Sequence, residues 1–556
     1  MAEIEKYEKI FVNVGRLLQM KPKCPAWVHD AVFYEIYPQT FYDFDGDGIG
    51  DIPGITVKLD YVKSLGVSAV WLNPCYVSPF RDAGYDVADY YRVAPRYGTN
   101  EDMKKLFAEA KKRDLRVILD FVPGHTSIDH PWFRESCKPE RNKYTNWYIW
   151  TDNTWDMGGG EFAGKFIHGW CERNGNFLTN FFWSQPALNF GFGKPDPDKA
   201  WQLPTDHPDI LALRKEIKGI LRFWLDMGAS GFRVDMAGSI IRRDPGGREA
   251  AKFWREVRAM LEADYPDAFL VSEWSWPKAA LRAGFHADFL HWVESYQDLF
   301  RKESRRALNG LSEGQSYFDA EGRGDISRFL ECYLDQLDAT RSKGYISIPV
   351  GNHDLSRINI ARSHEELEII YAFLFTMPGV PFFYYGDEIG MRHLDGLPNK
   401  EGAYRPRSGA RTPMQWTAGK NAGFSSAPPD KLYLPVDSAP GAPSVEEQEK
   451  NPCSLLNRVR HLIRLRRFEK GLAAYADFIP LYAKRKKYPF IYMRSNGRAR
   501  VLVALNPSRS PSEARLKLSG MGREPEMLAG WGTELAFGPG TVSIAMEGRS
   551  YGMFRV

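Results

Sequence analysis

The chain is 556 residues long, past the size at which a single hydrophobic core usually stops growing, so two or three domains are expected. Its 74 basic and 70 acidic side chains nearly cancel to a net +4, which gives no reason to expect nucleic acid or an anionic membrane as partner. No stretch approaches the roughly 20 apolar residues of a membrane span, and no low-complexity tract argues for disorder.

The chain opens Met-Ala-Glu-Ile-Glu-Lys, polar where a secretory signal carries a basic region and then an apolar run, and Ile10–Met20 has the spacing of an amphipathic helix. Six cysteines (Cys24, Cys75, Cys137, Cys171, Cys332, Cys453) lie far apart with no CxxC pair and no metal spacing, so they read as free thiols. A soluble cytoplasmic protein is the expectation.

Strand-like and helix-like segments then alternate, the pattern of an α/β fold with a parallel sheet. Ala31–Tyr37 and Ala69–Leu72 are short apolar runs, with helical spacing between them over Ile55–Leu65. The segment Asp43-Phe-Asp45-Gly-Asp47-Gly-Ile49-Gly-Asp51 alternates carboxylates with glycines, which suits a hard cation with oxygen ligands. Met103, Leu106, Phe107 and Ala110 share a helical face ahead of a buried strand, Arg116–Val122. A helix running to Gly228 precedes the strand Gly231–Asp235, and another around Phe253–Leu261 precedes Phe269–Glu273. A sixth strand falls somewhere in Ala287–Val293. Tyr345–Val350 and Val380–Tyr385, with the helix Leu367–Thr376 between them, complete the set.

The alternation stops twice. From about His125 to Asp206 the chain is rich in Trp, Gly, Asn and Pro without a stable period, too long for an ordinary loop. After about Ala473 the period becomes two, at Phe490–Arg494, Arg500–Leu505, Ala514–Leu518, Thr541–Met546 and Tyr551–Val556. The expected organisation is therefore a (β/α)₈ barrel over 1–124 and 207–472, an inserted subdomain over 125–206, and a C-terminal antiparallel β domain over 473–556.

Chemically capable residues recur at the carboxyl ends of the strands: Asp120 with His125, Arg233 with Asp235, Glu273, and His353 with Asp354. In a barrel those ends open onto one face, so residues remote in sequence converge there. Any one alone could be a helix cap. Four such clusters point to a site.

The motifs Asp120-Phe-Val-Pro-Gly-His125, Gly231-Phe-Arg-Val-Asp235, Ser272-Glu273-Trp274 and Gly351-Asn-His-Asp354, with Gln185-Pro-Ala-Leu-Asn189, resemble those of the α-amylase family of glycoside hydrolases, in the family's order. The resemblance runs from about Val32 to the C-terminus. It implies retaining chemistry on α-glucosides, with Asp235 as nucleophile, Glu273 as general acid/base and Asp354 as a third acid gripping sugar hydroxyls. Arg233 would keep Asp235 ionised, and apolar walls such as Trp274 would raise the Glu273 pKa. His125 and His353 match hydroxyl-binding histidines.

Two further stretches, Asp82-Ala-Gly-Tyr85-Asp86 and Arg411-Thr-Pro-Met-Gln-Trp416, are similar to exo-acting oligo-1,6-glucosidases and α-glucosidases. That likeness implies Asp82 and Arg411 closing the pocket around a terminal glucose, with Tyr85 stacked on the sugar. It also implies a structural Ca²⁺ held by Asp43, Asp45, Asp47, Asp51 and the carbonyl of Ile49. Two positions depart from the family. Gly124 stands where an Asn usually ligates a second calcium, and Met236 follows the nucleophile where other residues track linkage preference. The expected activity is an exo-α-glucosidase acting on short oligosaccharides or glucosides. A transglycosylating relative with the same covalent intermediate, a glucosyltransferase or sugar isomerase, is the alternative. A dead transporter-subunit homologue would lack the three acids and carry a membrane span. Linkage and oligomeric state stay open.

Overall fold

Eight short strands, each parallel to its neighbours, make up the central sheet: β1 Phe33–Ile36, β2 Ala69–Leu72, β3 Arg116–Phe121, β4 Gly231–Val234, β5 Phe269–Ser272, β6 Ala287–Phe289, β7 Tyr345–Ser347 and β8 Phe382–Tyr384. Their spatial order is β7-β6-β5-β4-β3-β2-β1-β8, a barrel-like (β/α)₈ arrangement in which β1 to β7 lie side by side in sequence order and β8 pairs with β1. The computed structural model describes residues 21–300, 316–402, 407–497, 499–517 and 525–556. The helix expected over Ile10–Met20 lies outside them.

Alternation along the strands sorts the side chains into two cores. Phe33, Ala69, Trp71, Ile118, Phe269, Val271, Phe289 and Phe382 fill the interior. Phe33 stacks on Phe382 at 4.2 Å, and Trp71 on Phe289 at 5.6 Å. Tyr34, Ile36, Val70, Leu119 and Leu270 face the helices. All but one of the strands were placed by their apolar runs. The sixth is only three residues long and carries a buried Asp288 at its centre, which hides its period.

The helices start and stop on local chemistry. Thr99 and Asp102 form a capping box at the head of Asn100–Lys112. Gly228, at φ +126°, ends Pro208–Met227. The single helix expected over Ile55–Leu65 is two, Ile52–Val57 and Leu59–Ser64, because Lys58 leaves helical dihedrals (φ −94°, ψ 2°). Between β3 and Pro208 the chain forms a helix, Pro131–Ser136, and a hairpin of Phe166–Ile167 with Phe177–Leu178. A small core of Ile149, Phe162, Phe166, Leu178, Ala187, Phe192 and Trp201 supports this segment.

A separate antiparallel sheet closes the chain: β9 Asp477–Tyr482, β10 Phe490–Asn496, β11 Ala499–Asn506, β12 Ser512–Lys517, β13 Glu526–Gly538 and β14 Thr541–Arg555. β9 and β13 were not expected from the sequence, and β14 runs unbroken where two strands were. Leu518, expected to end β12, lies outside the described residues. β13 pairs with β14 through two register shifts, between Met527 and Ala529 and between Trp531 and Thr533. At Gly530 (φ +119°) a Cβ would lie 2.1 Å from Tyr551 O, so only glycine fits there. Among the described residues no helix is long and apolar enough to cross a membrane.

Candidate active site

The strand ends build one pocket of about 550 Å³, lined among others by Asp82, Tyr85, His125, Asp235, Met236, Glu273, Asp354 and Arg407. Its floor is the top of the barrel core. There the Trp71 indole donates to Asp120 Oδ2 at 3.2 Å, and the Arg233 guanidinium lies 5.1 Å from the Trp71 ring.

Arg233, on β4, organises the centre. One guanidinium nitrogen donates to Asp120 Oδ1 and to Asp235 Oδ1, both at 3.0 Å, and the other reaches Glu273 Oε2 at 2.7 Å. Three carboxylates on one buried cation is a fixed fork, in keeping with guanidinium geometry. Glu273 Oε1 accepts from the Trp292 indole at 2.8 Å and lies 3.6 Å from His291 Nε2. Asp288, on β6, supports the loop that follows β5. Its Oδ1 accepts from Ser272 Oγ at 2.6 Å and from the Trp274 N–H at 3.0 Å, and burial pushes its pKa up to about 7.

The electrostatics of the pair correct one expectation. Burial alone would raise Glu273, but Arg233, His291 and Trp292 outweigh it and hold the group well below the usual carboxylate range. Asp235 goes the other way, pushed well up by burial and by Glu273 beside it. Arg233 approaches Glu273 more closely than Asp235, at 2.7 Å against 3.0 Å, in line with the opposite directions of the two groups. Such a pair titrates as a unit.

A second chain of contacts crosses the barrel mouth. Glu35 Oε1, on β1, pairs with His353 Nδ1 at 2.7 Å, and His353 Nε2 pairs with the Tyr85 hydroxyl at 2.7 Å. That hydroxyl donates onward to Asp120 Oδ2 at 2.9 Å. Tyr85 lies parallel to His353 at 5.4 Å and also lines the pocket. His353 is buried behind Tyr85 and is not part of the pocket wall. His125 is in the wall, bonded to Tyr85 O and to Asn180, and burial lowers its pKa to about 4, so it is neutral near pH 7.

The far end of the pocket differs from expectation. Arg411 does not meet Asp82. It is 1 % exposed and donates to His353 O at 2.8 Å and to Asp354 Oδ1 at 3.1 Å, from behind the wall. Among the described residues the cation that faces the cavity is Arg407, 2.9 Å from Asp354 Oδ1 and 3.7 Å from Asp82 Oδ1. The two arginines flank the short turn Ser408–Ala410, so they reach Asp354 from different sides. Burial alone would raise Asp354, but Arg407, His353 and Arg411 hold it well below its ordinary value. Asp82 is pushed up by burial against the pull of Arg407 and of Gln185, whose amide donates to Oδ2 at 2.8 Å. Its Oδ1 is buried without a hydrogen-bond partner, with Arg407 at 3.7 Å.

Residues 35–474 match the alpha amylase catalytic domain. The chain belongs to the alpha-amylase family of glycoside hydrolases. Among its relatives, a glucan 1,6-alpha-glucosidase of Streptococcus pneumoniae serotype 4 is 33% identical over 88% of this chain and 92% of its own. A trehalose synthase/amylase TreS of Mycolicibacterium smegmatis is also 33% identical, over 80% of this chain and 77% of its own. An isomaltulose synthase of Erwinia rhapontici NX5, solved in complex with D-glucose, superposes with a TM-score of 0.77 over 96% of this chain and 99% of that one. At 24% identity that last likeness is one of fold.

Glu35, Trp292, His291 and Arg407 were not singled out from the sequence. A glutamate inside the apolar strand β1 is a usable signal, since an unpaired charge is seldom buried. Arg407 and Arg411 are equivalent on paper, and only the fold chooses between them.

The acidic loop brings three carboxylates together. Oxygens of Asp43, Asp45 and Asp51 lie within 4.8 Å of one another. Asp47 is outside that cluster, its Oδ1 accepting from the Ile49 N–H at 2.7 Å. Burial raises Asp51 and Asp45, and the neighbouring acids Asp47 and Asp43 raise Asp45 further.

Proposed function

We propose that this family member is a retaining exo-α-glucosidase that releases glucose from the non-reducing end of short α-glucosides. The observation that carries the reading is the placement of Asp235 and Glu273. Both carboxylates are held by the one Arg233 guanidinium, Asp235 at 3.0 Å and Glu273 at 2.7 Å, which keeps the pair close, as the retaining geometry requires. Asp235 would attack the anomeric carbon while Glu273 protonates the leaving oxygen, and Glu273 would then deprotonate the incoming acceptor. This order needs the proton on Glu273. A glycosidic oxygen accepting from Glu273, and positive charge growing beside Asp235, both favour it there. Asp354, Arg407 and Asp82 close the pocket around the terminal sugar, with Arg407 set between the two carboxylates.

A second reading is transfer to a sugar. The open side of the pocket is walled by Phe181, Trp274, Trp276 and Trp292, with Trp276 largely exposed. Gly238 lets Trp274 into this wall, since a Cβ there would meet the indole at 2.2 Å. Aromatic faces hold the apolar face of a departing or arriving sugar and keep water away. Separate incubation with maltose, isomaltose, sucrose and trehalose tests the two readings. Free monosaccharides as the end products support hydrolysis, and isomers or longer oligosaccharides support transfer.

The acidic loop fits a structural Ca²⁺, since its donors are all oxygens and three like charges converge without a cationic side chain among them. Asp43, Asp45 and Asp51 would hold it, with Asp47 and the Ile49 carbonyl on the same turn. A bound ion at 100 times its Kd adds about 2.7 kcal/mol to the folded state. Chelation is therefore expected to lower the melting temperature, and Asp45→Ala to lower it equally and remove the response to calcium. Identical melting curves for both proteins with and without chelator would rule the ion out. A reducing, cytoplasmic location is consistent with six free thiols.

A further inference from the structure

Behind the catalytic pair, one buried carboxyl is bonded on both sides of Glu273. Ala287 and Phe289 of β6 fill the barrel interior, so alternation sends Asp288 between them to the outer face of the strand. Beside the interior residue Val271, Ser272 turns the same way at the end of β5. The Ser272 hydroxyl and the Trp274 N–H, one residue before Glu273 and one after, both donate to Asp288 Oδ1, at 2.6 and 3.0 Å. The Glu273 N–H itself donates to Val234 O at 2.9 Å. Three consecutive residues are thereby anchored, and the middle one lines the pocket.

The turn that follows is not one a chain adopts freely. Ser275 sits at φ +57°, in the left-handed region. Its Oγ accepts from the Trp292 N–H at 3.2 Å, and the Trp292 indole returns to Glu273 Oε1 at 2.8 Å. Asp288 thus holds the root of a turn whose far end holds the Glu273 carboxyl. Keeping an acid in that place costs stability. Asp288 is fully buried, no cationic side chain pairs with it among the described residues, and its Oδ2 has no hydrogen-bond partner. An apolar residue would fill the centre of β6 without that penalty, so the bonds to Ser272 and Trp274 are what the carboxyl contributes.

We propose, resting on the acid/base role given to Glu273 above, that Asp288 is a positioning residue for it. By tying down the residues on either side, Asp288 sets the direction in which the Glu273 carboxyl meets the leaving oxygen. Without those bonds Glu273 is free to turn toward Arg233, already 2.7 Å away, and out of line with the glycosidic oxygen. General-acid transfer needs the proton within hydrogen-bond reach, and a misplacement of about 1 Å costs on the order of 100-fold.

Values of kcat/KM on maltose and on glucosyl fluoride, whose leaving group needs no proton, test the proposal in the full-length protein. Asp288→Ala is expected to lower the maltose value by about 100-fold and the fluoride value by only a few-fold. Asp288→Asn keeps an acceptor oxygen for Ser272 and Trp274 and is expected to regain most of the maltose rate. Ser272→Ala removes the shorter bond alone and is expected to show the same split in smaller degree, so it decides the matter if Asp288→Ala does not fold. Losses of equal size on the two substrates overturn the proposal, because a merely structural prop would slow both. Glu273→Gln runs beside these variants. A split in Glu273→Gln without one at 288 or 272 overturns the positioning role alone, whereas no split in Glu273→Gln overturns the role of Glu273 and the positioning role with it.

Discussion

Asp235→Ala is expected to lower turnover on unactivated α-glucosides by on the order of 10⁴ to 10⁶, the range seen when another hydrolase loses its nucleophile or a partner of it. The fold should persist. Arg233 keeps Asp120 at 3.0 Å and Glu273 at 2.7 Å, so its charge is not stranded. Glu273→Gln should behave differently. It cannot protonate a sugar leaving group, but Asp235 can still expel one that needs no proton, so glucosyl fluoride should remain a substrate. The amide also ends the competition for the shared proton. With Glu273 no longer ionisable, Asp235 loses the neighbouring charge that helps push it up, and its pKa should fall. The acid limb of the fluoride reaction should accordingly move to lower pH. Steady-state kinetics on maltose and glucosyl fluoride, with melting curves as a folding control, check all three outcomes. Near-normal maltose turnover by Asp235→Ala would falsify the proposed roles.

The barrel was legible because parallel strands covered on both faces read as apolar runs, and because Arg233 and Asp235, two apart on one strand, necessarily share a face. What could not be read was anything set by a sum of distant terms. How strongly each of Asp120, Asp235 and Glu273 is held depends on how Arg233 divides itself among the three, a matter of tenths of an ångström. Glu35 acquires meaning only when His353 arrives from the far end of the barrel. The C-terminal strand β13 was hidden by glycines inside it, of which Gly532 falls at a register shift and Gly530 pairs straight across with Gly552.

The largest departure, Arg407 in place of Arg411, yields the most discriminating comparison. Arg407 sits between Asp82 and Asp354 at the closed end of the pocket, with all three side chains mostly buried. Arg407→Ala would leave Asp82 without its nearest cation and Asp354 with Arg411 alone. Removing one partner of such a group costs roughly 2–5 kcal/mol, which is well over tenfold in catalytic efficiency. The double change Asp82→Ala with Arg407→Ala should cost less than the sum of the singles, because neither charge is then stranded. Arg411→Ala should show a different signature. That side chain holds the His353 carbonyl, Asp354 and the Tyr37 hydroxyl from behind, so its loss should lower the melting temperature as well as activity. Arg407→Ala, at the cavity surface, should change kcat/KM with little change in melting. Thermal melts and kinetics on a short α-glucoside, run on the single variants and the double, separate the two arginines. If Arg411→Ala alone altered substrate discrimination while Arg407→Ala were silent, the terminal sugar would be gripped from the buried side and the pocket end would have to be redrawn around Arg411.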